Sequence, residues 1–130
     1  MLPLLQQCLV VGTGGFLGAI ARFLLNNWVV SRVGNAFPWG IFVINVSGSF
    51  VLGFFVTLLA RRVLINDNWR LLVPVGFVGA YTTFSTFEYD NARLGATWQA
   101  FGNVVGSVAA GYAAVALGIW LGNFWPQGRG

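Results

Sequence analysis

Charged residues divide the chain into four long uncharged stretches: 1–21, 33–60, 71–87 and 94–128. A helix that crosses the hydrocarbon core of a bilayer needs about 20 mostly apolar residues. The stretches therefore predict four membrane helices, near residues 4–27, 38–60, 70–91 and 98–122. Turn chemistry falls between them. Ser31-Arg32-Val33-Gly34-Asn35 precedes Pro38, which suits the first turn of a helix. Asn66-Asp67-Asn68 is a polar turn, and the third break, Asn91 to Gly95, is short. Tryptophan favours membrane interfaces. Trp28, Trp39 and Trp98 fall at predicted span ends on one side, and Trp69, Trp120 and Trp125 at ends on the other. An even number of spans places both termini together.

Composition removes the soluble alternative. Of 130 residues, 57% are apolar and 8% charged, against about 25% charged in soluble domains. Disorder needs the opposite balance. The length fits one domain. The net charge of +4 comes from scattered arginines rather than a basic run, so no nucleic-acid partner is expected. With one cysteine and no histidine, neither an intrachain disulfide nor a zinc site is expected. The first charge is Arg22, so no basic segment opens the chain as in a secretory signal peptide. Arg61, Arg62, Arg70 and Arg129 lie on the terminal side against Arg32 and Arg93 opposite. This four-to-two bias weakly favours cytoplasmic termini and suits a chain that inserts both ways.

Small residues recur at four-residue spacing: Gly14 with Gly18, Ser49 with Gly53, Gly102 with Gly106, and Gly118 with Gly122. In lipid such pairs let helix backbones approach closely. The glycines at 12, 14, 15 and 18 fail the dinucleotide fingerprint, because Leu17 replaces its third glycine and no acid follows at the right distance.

Function is sought where polarity is expensive. Gly76-Phe77-Val78-Gly79-Ala80-Tyr81-Thr82-Thr83-Phe84-Ser85-Thr86-Phe87 carries four hydroxyl residues in five positions within the third span. Glycine and β-branched threonine weaken a helix, and Pro74 upstream removes a backbone donor. A break here frees backbone polar groups at mid-membrane, tolerated only in a buried or wet place; in transporters such breaks mark ion sites. The alternative is an intact helix whose hydroxyls bond back to carbonyls four residues earlier. Phe84 and Phe87 share a helical face. They either pack, or offer their positive ring edges, with neighbouring hydroxyls, to a small anion. Conduction needs sites weak enough to release the ion. Asn45 sits mid-span in the second helix with Ser47 and Ser49 nearby, and its amide either donates to an anion or ties helices together. Asn103 and Ser107 share a face of the fourth helix. Arg22, near the end of the first helix, either snorkels or draws anions toward a vestibule. Glu88 and Asp90 are interfacial, with Arg93 as a partner. No nucleophile or base accompanies them, so an enzyme is not expected. Four short helices barely enclose a pore, so a subunit interface and a homodimer are expected.

Gly18-Ala19-Ile20-Ala21-Arg22-Phe23, Pro38-Trp39-Gly40, Asn45-Val46-Ser47-Gly48, Gly76-Phe77-Val78-Gly79 and Thr82-Thr83-Phe84-Ser85-Thr86-Phe87 occur in this order. Together they resemble the Fluc/CrcB fluoride-channel family over essentially the whole chain. The resemblance implies an all-α integral membrane protein of four helices with a broken third. It implies an antiparallel, dual-topology homodimer in the cell (inner or plasma) membrane. The function it implies is passive efflux of fluoride through two pores, with no other protein partner required. It maps the pore residues to Phe84, Phe87, Asn45, Ser85 and Thr86, with Ser107 more loosely and Arg22 in the vestibule. It implies a structural sodium ion on the dimer axis, held by the backbone carbonyls of Gly79 and Thr82. Two positions depart from the family pattern: Ala80 stands where a second glycine is frequent, and the acid three residues after Phe87 is Asp90 rather than Glu, with Glu88 also present. Which acid takes the family role stays open. A small multidrug transporter shares the length and four helices but needs a carboxylate in the first span, where this chain has Arg22. A purely structural subunit leaves the hydroxyl run without a purpose.

Overall fold

The computed structural model describes residues 2–126; Arg129, counted in the charge bias, lies outside them. Helix α1 (Leu4–Val33) ends at Gly34, whose φ of 78° turns the chain while its N–H reaches the Val30 carbonyl at 2.8 Å. It runs past residue 27 because Asn26 and Asn27 stay helical, and Arg32 lies over the Trp28 ring at 5.4 Å. Its 30 residues span about 45 Å, more than the roughly 30 Å hydrocarbon core. Arg22 therefore lies well inside the helix rather than near its end.

Helix α2 (Trp39–Ala60) starts after Pro38 as the sequence predicts. The third predicted helix is built in pieces. A short α3 (Asn68–Arg70) continues into a π-helical stretch, Leu71–Val78, and α4 (Gly79–Tyr81). Pro74 lies inside the π-helical stretch; in α geometry its ring clashes with the carbonyl four residues back, and the wider turn relieves that clash. Thr82 and Thr83 are extended, with ψ of 155° and 116°. The chain re-enters a helix at α5 (Phe84–Leu94), with the Thr83 hydroxyl accepting from the Thr86 N–H at 3.3 Å. Helix α6 (Trp98–Phe124) is capped in the same way by Thr97. α1, α2 and α6 are long and apolar enough to cross a membrane; the broken helix is the remaining predicted span.

The helices pack as two parallel pairs. Gly14 and Gly18 of α1 lie directly on the backbone of the π-helical stretch: a Cβ at either would strike the carbonyl oxygen of Leu72 or Phe77. In α2 and α6, a Cβ on Gly53 would strike the Val115 carbonyl, and one on Gly118 the Phe50 carbonyl. Close backbone approach of this kind drives helix association in lipid. Among the described residues, no atom outside its own helix lies within 4 Å of where a Gly102 Cβ would stand, and Gly106 only touches Phe42, so that fourth pair packs against nothing described. Arg61 closes one end of the α2–α6 pair by donating to the carbonyls of Gly122, Asn123 and Trp125. The buried core is small, Ile41, Ile44, Tyr81 and Phe87, and most large apolar side chains face outward.

Candidate functional site

The site is the break between α4 and α5 and the part of α2 that holds it open. Thr83 is 8% exposed, so its backbone N–H and C=O need partners. Asn45 supplies both. Its Oδ1 accepts from the Thr83 N–H at 2.8 Å, and its Nδ2 donates to the Thr83 carbonyl at 3.1 Å. A side-chain amide carries the same donor and acceptor as a peptide, so Asn45 serves Thr83 as a neighbouring strand would. One Nδ2 hydrogen remains beyond this pair. Gly48 brings the two segments together, since a Cβ there would strike the Thr82 methyl. The Tyr81 hydroxyl adds a second tie: Ser47 donates to the Ile44 carbonyl at 3.1 Å and receives from Tyr81 at 2.8 Å. Of the hydroxyls in the run, Thr82 bonds back four residues, to Val78 at 2.9 Å.

The break strips the four carbonyls from Gly79 to Thr82 of their helical donors. In a continuous helix the Thr83 N–H would serve Gly79 and the Thr86 N–H would serve Thr82. Here the first goes to Asn45 Oδ1 and the second to the Thr83 hydroxyl. Among the described residues, no atom outside the adjoining backbone lies within 4 Å of the Cβ position of Gly79. Such carbonyls are oxygen donors of the type a hard cation takes, and Gly79 and Thr82, the two positions to which the family resemblance assigns sodium, are among them.

α5 carries the aromatic pair. The Phe84 and Phe87 rings lie 6.1 Å apart, tilted by 38°. Phe87 is buried in the core, whereas Phe84 is 74% exposed on the outside of the chain. A groove of about 230 Å³ beside Phe84 is lined by Asn45, Ser49, Thr82 and Thr83. A second cavity, of about 270 Å³, lies where α1 and α2 meet the far part of α5, and Asn26, Asn27, Thr86, Asp90 and Arg93 line it. Thr83 faces the first space and Thr86 the second, and the Thr83 hydroxyl donates to that of Thr86 at 3.1 Å. Two hydrogen-bonded hydroxyls thus stand between the two cavities; Phe84 lines the first, and Phe87 lines neither. The charges sit at the outer end, where Asp90 and Arg93 approach to 3.8 Å; Glu88 is exposed.

Phe84, Phe87, Asn45, Ser85 and Thr86 are thus brought together around one break, with Ser85 exposed on α5. Arg22 is half-exposed on α1 and outside the lining of both cavities. Ser107 reaches the site indirectly. Its hydroxyl donates to Asn103 Oδ1 at 3.2 Å, Asn103 donates to Asn91 Oδ1 at 2.9 Å, and Asn91 donates to the Phe87 carbonyl at 2.9 Å. The sequence assigns Asn91 to a turn; its position four residues after Phe87 is the signal that places its amide under that carbonyl. The link between Tyr81 and Ser47 has no local signal at all.

The model of the family described as CrcB-like protein, Camphor Resistance (CrcB), matches residues 9–119. A protein named fluoride-specific ion channel FluC from Solibacter usitatus is 47% identical over 119 residues, covering 89% of this chain and 98% of the relative. A protein of the same name from Acidobacterium capsulatum is 45% identical over 124 residues, covering 91% and 97%. Another from Dehalococcoides mccartyi is 36% identical over 127 residues, covering 95% and 98%.

Proposed function

The chain belongs to the CrcB family, and from that premise we propose that it is a fluoride-selective ion channel, letting fluoride leave the cytoplasm passively across the cell membrane. The observation that carries the reading is the break itself, where Asn45, Thr83 and Thr86 place uncharged polar groups beside Phe84. Phe84, Phe87, Asn45, Ser85 and Thr86 line the path. Ring edges, hydroxyl hydrogens and the remaining Asn45 N–H replace water around the anion. No fixed positive charge stands among them, so each site holds the ion weakly enough to release it. Arg22 belongs to the approach, where a positive charge raises the local anion concentration. Ser107 joins the path through the amides that reach Phe87, its hydrogen being already given to Asn103.

The working unit is an antiparallel homodimer with two pores. The outward-facing Phe84 ring and the open side of its groove favour a second chain completing each path. Sodium on the dimer axis is held by Gly79 and Thr82 carbonyls from both chains. When bound, it supplies a positive charge that neutralises carbonyl dipoles left open by the break.

The test is ion efflux from liposomes carrying the purified protein, followed with fluoride and chloride electrodes in parallel. Rapid fluoride loss with chloride retained is expected. Absence of fluoride loss from folded protein refutes the reading.

A further inference from the structure

The amide chain that ends on Phe87 has a direction. Every hydrogen in it points the same way, from Ser107 through Asn103 and Asn91 to the Phe87 carbonyl, an arrangement in which each bond polarises the next. It crosses from α6 to α5, whose mutual packing is slight beside that of α2 on α6. Asn103 is 2% exposed and is the one buried residue of α6 other than two glycines. A valine or leucine would fill such a place in an apolar helix without needing partners. The amide there has both its nitrogen and its oxygen bonded, and its tie terminates on the residue that bears the fixed member of the aromatic pair. Simple adhesion between helices does not require that end point.

We infer that Asn91 and Asn103, backed by Ser107, are positioning residues that hold the Phe87 ring at the angle the ion path requires, and so set fluoride selectivity. The inference rests on the reading of Phe87 as a pore residue. Asn91 fixes the carbonyl of the α5 turn that bears the ring, and Asn103 fixes Asn91 against a rigid transmembrane helix. Without the tie, α5 keeps its own helical bonds and its Thr83 cap but is free to rock against α6.

The experiment compares Asn103→Leu, Ser107→Ala, Phe87→Ala and the Asn103→Leu/Phe87→Ala double variant in liposomes, with both electrodes. Asn103→Leu is expected to lower the ratio of fluoride to chloride flux about tenfold, and Ser107→Ala to lower it less. The double variant is expected to behave as Phe87→Ala alone, because the tie acts through that ring. A wild-type ratio in folded Asn103→Leu, or an additive loss in the double variant, overturns the inference. Unchanged flux and selectivity in Phe87→Ala instead overturns the pore assignment beneath it. Should Asn103→Leu fail to fold, Ser107→Ala is read with a 19F-labelled phenylalanine at position 87. A changed ring signal accompanied by lost selectivity supports the inference, and an unchanged signal and ratio overturn it.

Discussion

Replacing Asn45 by leucine tests whether the break is held open from outside or is intrinsic to the hydroxyl run. The two side chains have similar volume, so packing changes little. The substitution removes the acceptor 2.8 Å from the Thr83 N–H and the donor 3.1 Å from its carbonyl. Each backbone group left buried without a partner costs about 1–3 kcal/mol, so the open form loses about 2–6 kcal/mol. Thr83 has one way to recover part of this: closing the helix, which returns its N–H to the Gly79 carbonyl. That closure re-aims Phe84 and Phe87, because each residue added to a helix rotates the chain beyond it by about 100°. The expected result is a folded protein with little fluoride flux. Hydrogen exchange at Thr83 and Thr86, read by NMR in detergent, supplies the physical check, since both amides change partner. Asn45→Leu with wild-type flux and unchanged protection at Thr83 would refute the reasoning.

Gly18→Ala places a methyl against the Phe77 carbonyl and is expected to destabilise the fold by about 1–3 kcal/mol, seen as a lower melting temperature; Gly102→Ala meets no atom outside its own helix among the described residues and is expected to leave the melting temperature unchanged. Arg61→Ala removes the donor shared by three carbonyls at the end of α6, with an expected cost of about 1–2 kcal/mol read by thermal unfolding. Purification with sodium replaced by a bulky organic cation, checked by metal analysis, is expected to weaken the dimer or abolish flux; identical behaviour without sodium counts against the Gly79 and Thr82 carbonyl site.

The long helices are legible in the sequence because lipid imposes one rule, a run of about 20 apolar residues without charge, and α1, α2 and α6 obey it. The break is legible as a tension, since Thr82, Thr83, Ser85 and Thr86 follow two glycines where a plain helix would avoid them. Its resolution is not local. Asn45 lies 38 residues from Thr83, and no spacing rule connects them. Helix α1 runs six residues beyond the predicted end at 27, to Val33, where Gly34 turns the chain. The π-helical turns around Pro74 also lie close against α1, with the Val11 carbonyl 2.6 Å from the Cβ position of Gly76, a contact no sequence spacing announces. Among the candidate residues, those on α5 follow from the motif, while the chain from Ser107 to Phe87 emerges only when α5 and α6 are set side by side.

The partners of the break also have an order in time. Asn45 is made before Thr83, so α2 is already available when the weak third segment leaves the ribosome. That segment need not be stable as a membrane helix by its own composition; it is received by a helix carrying the substitute peptide group it lacks. Asn103 is made afterwards, so the tie to Phe87 closes only when α6 arrives. The order of synthesis thus supplies the partner that opens the helix before the partner that ties the ring. A chain truncated before α6 would carry the break with an unanchored aromatic pair.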